Sequence, residues 1–300
     1  MELAYHAIRE KLRHNWARAL ILLSDEFNSA LNLCTIIIFT RNRNLRKRST
    51  YLMINLAVAD MLVGGVAVFF LFYWFGVFCN VWRGHLNGHL KDYIETRLTC
   101  VFPFMSLLNI TIIALERAYA TFRPFKHRVL KKRVYGLLIV FIWVSTALST
   151  SVNFKYPEGV VDLYLKIAFS SFVLLIICVS YSSIVIKVRC GAQPRHHGAA
   201  SRERKLTVTL LIVTVASLLL YLPANTFAFL LYSGKFKMLF PVGDHLYFSL
   251  YVLLCANSLV NPILYAIRMP EYRSTLAALF RKRTVRNRER RVADLPLNDL

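Results

Sequence analysis

The chain has 300 residues, of which 56% are hydrophobic, with a mean hydropathy of +0.46 and a formal net charge of +22. Such a charge on a soluble protein would point to nucleic acid, but the apolar stretches are hydrophobic nearly all round, which marks membrane helices and argues against nucleic-acid binding. Six cysteines, only one of them (Cys79) near an outer surface, exclude a disulfide-built module.

Helices of about 20 apolar residues span a bilayer. The pattern predicts an all-α, seven-transmembrane helix bundle, with helices at 17–40, 50–76, 93–117, 134–153, 163–187, 205–232 and 245–268. The first is the weakest, because Asp25 and Glu26 sit inside it, and it carries Asn32. Helix 2 holds Asn55 and, about ten residues in, Asp60. A carboxylate there is costly unless paired or ion-bound. Asp92 and Glu95 make the outer rim of helix 3 acidic, as ligand contacts or merely as solvated charges. Counting inward, Thr99, Phe102 and Pro103 face the interior; Ser106 and Asn109 follow, and the inner end reads Glu116-Arg117-Ala118. Helix 4 carries Trp143 and helix 5 carries Tyr181. Helix 6 begins near Glu203 and contains Tyr221, Pro223, Asn225 and Phe229; the proline should kink it. Helix 7 presents Tyr251 and Cys255 towards the interior, then Asn257, Ser258, Asn261, Pro262 and Tyr265. Amides, hydroxyls and a proline in an apolar span are functional candidates by default, although they also serve as packing or kink devices.

Charge sets the orientation. With the first segment outside, 27 of the 38 Lys and Arg fall in the inner segments, at 41–48, 117–133, 187–205 and 268–291. Basic residues collect on the cytoplasmic side, so the N-terminus is expected outside and the C-terminus inside, with the basic rim against anionic lipid headgroups. Arg9, Lys11, Arg13 and Arg18 run against this rule. The expected organisation is an extracellular N-terminus at 1–16, the bundle at 17–268, a membrane-surface helix at 269–281 and a disordered basic tail at 282–300.

With one landmark in each span, Asn32, Asn55–Asp60, Glu116-Arg117, Trp143, Tyr181, Pro223 and Asn261–Tyr265 together resemble the rhodopsin-like (class A) G-protein-coupled receptors. The resemblance implies a plasma-membrane receptor that activates a heterotrimeric G protein when an extracellular ligand binds. It implies a switch made of Glu116, Arg117, Glu203, Tyr181, Pro223, Asn261, Pro262 and Tyr265. It also implies an allosteric sodium ion held by Asp60, Ser106, Asn257, Ser258 and Asn261; the alternative is a protonated Asp60 bonded to the same groups. The pocket would use Asp92, Glu95, Thr99, Phe102, Pro103, Tyr221, Asn225, Phe229, Tyr251 and Cys255. Segment Pro270–Phe280 resembles the family's amphipathic surface helix, with Tyr272, Leu276, Leu279 and Phe280 on its apolar side.

Several departures bear on the ligand. Where amine receptors carry an Asp there is Thr99, and where opsins carry the Schiff-base lysine there is Cys255, so no retinal or other cofactor is expected. The outer helix 3 cysteine of the family is Asp92, Val173 replaces the proline of helix 5, and Tyr221 the tryptophan of helix 6. Asp92 and the short second outer loop suggest the melanocortin, lysolipid, cannabinoid and adenosine branch. A transporter is the alternative, but no repeat halves are evident. An enzyme is not expected: the eight histidines lie in termini, loops or helix ends, without a metal set in the membrane. After Phe280 the only hydroxyl is Thr284. Agonist-dependent phosphorylation is therefore expected at Ser201 or Thr207 rather than in the tail; mass spectrometry that finds heavy tail phosphorylation contradicts this.

Overall fold

The computed structural model describes residues 26–78, 88–155, 160–190, most of 208–226, and 257–281 except 280; side chains within 66–100, 150–166 and 188–190 lie outside the description. Helix α1 covers 26–41. It is followed by α2 (Thr50–Phe78), α3 (Gly88–Phe122), α4 (Pro124–Val129), α5 (Lys132–Lys155) and α6 (Val160–Cys190). Helical residues between 208 and 226 form α7, 257–268 form α8 and 270–281 form α9. No strand occurs among the described residues. Three stretches of them, Val101–Phe122, Lys132–Ser149 and Ile167–Lys187, are long and apolar enough to cross a membrane, and Thr50–Gly65 and Leu211–Pro223 are shorter apolar helices.

The helix boundaries correct the sequence reading at helix 3. Its apolar count ended at 117, yet α3 runs on to Phe122. The reason is that Glu116 and Arg117 pair with each other and stay buried, so the charges do not end the helix. What ends it is Pro124, which disfavours helical geometry at the preceding residue; Arg123 accordingly sits at φ −130°, ψ 60°. Pro124 then opens α4, where a missing N–H costs nothing.

Helix α3 is the axle. Its membrane stretch is 67% buried, against 17% for that of α5, and it packs on α2, α4, α5 and α6. Met105, Leu108, Ile110 and Ala114 of α3 meet Leu52, Leu56 and Ala59 of α2, and Val173, Ile177 and Ile184 of α6 join the same core. Val173, at the position where the family has a proline, is thus an ordinary core residue.

At the inner end α9 folds back on α1. Tyr272 is 2% exposed, its hydroxyl lies 2.7 Å from that of Thr35, and its ring packs at 5.7 Å from Phe39 and 6.0 Å from Tyr265. Burial raises its pKa, so the hydroxyl keeps its proton. Asn42 Nδ2 donates to Thr275 Oγ1 at 2.8 Å. Leu276 and Leu279 are half-buried against the core, on the side the sequence named apolar; Phe280 lies outside the described residues. Tyr272→Ala should cost about 3–5 kcal/mol by the rule for large aromatic truncations, read as a lowered unfolding temperature in detergent. An unchanged temperature contradicts the docking of α9.

Candidate functional site

Three polar clusters lie along α3. The first surrounds Asp60, which is fully buried. Ser106 Oγ donates to Oδ1 at 2.5 Å and Ser258 Oγ at 3.0 Å, while Asn261 Nδ2 donates to Oδ2 at 2.7 Å. Residues from α2, α3 and α8, 201 positions apart at the extreme, thus meet on one carboxylate. These are four of the five residues that the sequence grouped here. The fifth, Asn257, is 1% exposed, and neither polar atom of its side chain has a protein partner; nor does Asn261 Oδ1. Asn257 and Asn261 are one helical turn apart and share a face. A carboxylate, two hydroxyls and two unpartnered amide oxygens make an all-oxygen set of the kind hard cations take. The donor set therefore fits a sodium ion.

The sequence did not anticipate Asn28. Its Nδ2 donates to the Asp60 backbone carbonyl at 3.0 Å. Its Oδ1 accepts from Asn32 at 2.7 Å, and Asn32 also reaches the Ser258 carbonyl at 3.2 Å. The two asparagines are four apart on one face of α1 and tie it to α2 and α8. An amide near the start of the weakest span carried no signal of this role beyond its polarity.

The second cluster is a chain of three side chains. Asn55 Nδ2 donates to Asn109 Oδ1 at 2.7 Å, Trp143 Nε1 donates to Asn55 Oδ1 at 3.1 Å, and Asn109 Nδ2 reaches the Met105 carbonyl at 2.9 Å. It joins α2, α3 and α5. All three residues were visible in the sequence, but nothing there paired them.

The third cluster lies at the inner end of α3. Arg117 holds Glu116 through two bonds, Nε to Oε2 at 2.5 Å and Nη2 to Oε1 at 2.6 Å. Arg117 is 1% exposed and the Glu116 side chain 5%. The same Oε1 meets His127 Nε2 at 2.6 Å and the Tyr135 hydroxyl at 3.0 Å. The carboxylate thus has partners from α3, α4 and α5. Charge-assisted pairs of this geometry are the strong ones, and removing one partner of a buried pair costs about 3–5 kcal/mol. The sequence placed Glu116 and Arg117 but missed His127 and Tyr135. A histidine in a basic loop and a tyrosine at a helix start have no pattern that marks them.

Two further contacts link the remaining candidates. The Tyr221 hydroxyl donates to the Pro103 carbonyl at 2.7 Å, joining α7 to the outer half of α3 beside half-buried Phe102. Thr214 Oγ1 donates to the Tyr181 hydroxyl at 3.1 Å, joining α7 to α6. Tyr265 is 1% exposed with a hydroxyl that has no protein partner; Pro262 is buried and Pro223 exposed. The side chains of Asp92, Glu95 and Thr99, and the residues Glu203, Asn225, Phe229, Tyr251 and Cys255, lie outside the described residues. Among the described residues no group of three His, Cys, Asp or Glu could hold a metal.

The described residues thus form a helical bundle with membrane-length apolar spans, a buried carboxyl group met from three helices and a paired glutamate and arginine near the end of the central helix. The family described as 7 transmembrane receptor (rhodopsin family) matches residues 31–159 and 153–265, and the chain belongs to it. It is 29% identical over 283 residues to the melanopsin of Rattus norvegicus, covering 82% of this chain and 57% of that one. It is 30% identical over 284 residues to the histamine H2 receptor of Canis lupus familiaris, covering 81% and 73%. The chain therefore spans little more than half the length of that melanopsin. The structure of squid rhodopsin superposes with a TM-score of 0.70 at 18% identity, over 88% of this chain and 84% of that one, a likeness of fold. These relatives lend no support to a melanocortin-like placement.

Asn55→Ala removes two hydrogen bonds and leaves Asn109 and Trp143 with unmet groups. At about 1–3 kcal/mol for each group stranded, the receptor should unfold several degrees lower in a thermal-shift assay. Trp143→Phe, which strands only Asn55 Oδ1, should cost less. A larger loss for Trp143→Phe would place the weight of the network elsewhere.

Proposed function

We propose that the protein is a cell-surface receptor, N-terminus outside, that answers an extracellular ligand by activating a heterotrimeric G protein at the inner ends of α3, α6 and α7. The observation that carries this reading is the buried pair Glu116–Arg117, held by His127 and Tyr135. A guanidinium stored on its neighbouring carboxylate is released when the inner end opens. In the resting state Glu203, near the start of helix 6 in the sequence, would be a second carboxylate partner for Arg117, as the family resemblance implies. In the active state α7 swings outward about Pro223, and Arg117 turns towards Tyr181 and Tyr265 to meet the G protein. Two further groups from the sequence belong to this device. The hydroxyl of Tyr221 on the Pro103 carbonyl ties the outer half of α7 to α3, where a ligand would act on it. Asp60, Ser106, Asn257, Ser258 and Asn261 would hold a sodium ion, which when bound supplies a positive charge beside the carboxylate.

The ligand is not of the usual amine or retinal type, since Thr99 and Cys255 stand where those chemistries need Asp and Lys. The interior positions read from the sequence, Thr99, Phe102, Pro103, Asn225, Phe229, Tyr251 and Cys255, would give a mostly apolar and aromatic pocket with few polar anchors, as small-molecule sites are. The match to the 7 transmembrane receptor (rhodopsin family) does not favour a transporter.

If the resting state leads by a few kcal/mol, the active fraction is about 0.1–10%, and losing about 1.4 kcal/mol of lock raises a small fraction tenfold. Glu116→Gln and Glu203→Ala should therefore each raise ligand-free guanine-nucleotide exchange several-fold at matched surface amount. Arg117→Ala should abolish it. Equal exchange in all four proteins, wild type included, rejects the lock. Sodium should lower ligand-free exchange, and Asp60→Asn should remove that effect. A sodium response that persists in Asp60→Asn contradicts the ion site.

A further inference from the structure

We infer that the groove between α4 and the start of α5 binds a polyanionic phospholipid of the cytoplasmic leaflet, a phosphoinositide, whose acyl chain lies along the outer face of α5. The groove is a shallow, open depression with a volume of about 610 Å³. Its walls are apolar yet open: Phe125, Val129 and Leu137 are 81%, 76% and 69% exposed. Its rim is Lys126, Lys131 and Arg133, all exposed. No Asp or Glu occurs between Arg117 and Lys155. The carboxylate just before, Glu116, is buried and bonded to Arg117, His127 and Tyr135. Lys126 of α4, Lys131 of the linker and Arg133 of α5 are therefore exposed, with no carboxylate of this segment, and no ion pair among the described residues, to meet them.

Depth and continuity select a lipid. Lys132 begins the apolar stretch Lys132–Ser149, so the groove sits at headgroup level. Above it, Leu137, Phe141, Val144 and Leu148 are 69%, 57%, 50% and 60% exposed. They are spaced three or four apart and form one stripe. From 137 to 148 the helix rises roughly 16 Å, about half the ~30 Å hydrocarbon core, which is the span of one leaflet's acyl chain. A soluble partner could cover the basic rim but could not follow the stripe into the membrane. A headgroup with several phosphate charges matches three cations; a singly charged one leaves two unmet. Each basic residue near the surface is worth roughly fivefold in binding an anionic lipid, so losing all three should cost on the order of a hundredfold.

The inference rests on this end of the bundle facing the cytoplasm, but the binding itself is read without a G protein and so fails or stands apart from the coupling reading. Full-length receptor is placed in phosphatidylcholine nanodiscs containing phosphatidylinositol 4,5-bisphosphate, phosphatidylserine or neither. Retained lipid is counted by native mass spectrometry. The wild type should keep the bisphosphate in preference to phosphatidylserine. The variant Lys126→Gln, Lys131→Gln, Arg133→Gln should keep at least tenfold less, while Arg268→Gln, Arg273→Gln, at the α8–α9 junction, should match the wild type. A bisphosphate with a photoactivatable acyl chain should label 137–148. Equal retention of both anionic lipids, equal retention by the triple variant, or labelling elsewhere overturns the site. A triple variant that keeps its lipid but loses capture of a G-protein heterotrimer would make the groove a protein-docking surface instead, and also overturns it.

Discussion

A carboxyl group buried in an apolar bundle must be met by hydrogen-bonding partners, and the described residues hold two places where this happens. Asp60 collects hydroxyls and an amide from α3 and α8, and Glu116 collects a guanidinium, an imidazole and a phenol from α3, α4 and α5. Neither cluster could be assembled by neighbours in sequence alone. Each therefore ties separate helices to one another. That is what a receptor of this kind needs: packed apolar surface tolerates many arrangements, while a network of buried polar groups tolerates few.

The central helix explains why the effects converge. Helix α3 supplies Ser106, Asn109, Glu116 and Arg117, one for each cluster or more, and the Pro103 carbonyl that Tyr221 grips. Helix α3 runs through all three clusters as one continuous helix about 50 Å long at 35 residues, with Pro103 inside it. Helix α5, by contrast, shows most of its membrane stretch to the surroundings and is tied to the core through Trp143 and Tyr135. It is suited to meeting lipid rather than to carrying a signal.

Much of this was legible in the sequence, for a physical reason. In an apolar span a polar residue is conspicuous, so Asp60, Ser106, Asn109, Asn261 and Glu116-Arg117 announced themselves, and the spacing of Asp60, Glu116-Arg117 and Asn261 with the landmarks of the other spans carried the family resemblance. Partners outside the apolar background did not. His127 sits among Lys126, Arg128 and other cations, where one more polar residue means nothing until α4 folds it onto Glu116. Tyr135 reads as an ordinary aromatic at a helix start. Asn28 stood near two acids that weakened its span. The apolar count of helix 3 ended at 117, whereas the pairing of Glu116 with Arg117 keeps both buried and the helix runs on to Phe122. The ligand side remains a matter of sequence: Asp92, Glu95, Thr99 and the outer parts of helices 6 and 7 lie outside what the structure describes.

The account turns on the inner end opening when Arg117 leaves Glu116. Spin labels at Lys132, on the start of α5, and Val208, on the inner start of α7, report this directly by pulsed electron-electron resonance. Added nucleotide-free heterotrimers, drawn from each Gα class in turn, should lengthen the distance by more than one helical turn, about 5 Å, for at least one class. The same shift should appear in part in Glu116→Gln without any G protein. A single distance, unchanged by every heterotrimer and identical in Glu116→Gln, would contradict the account.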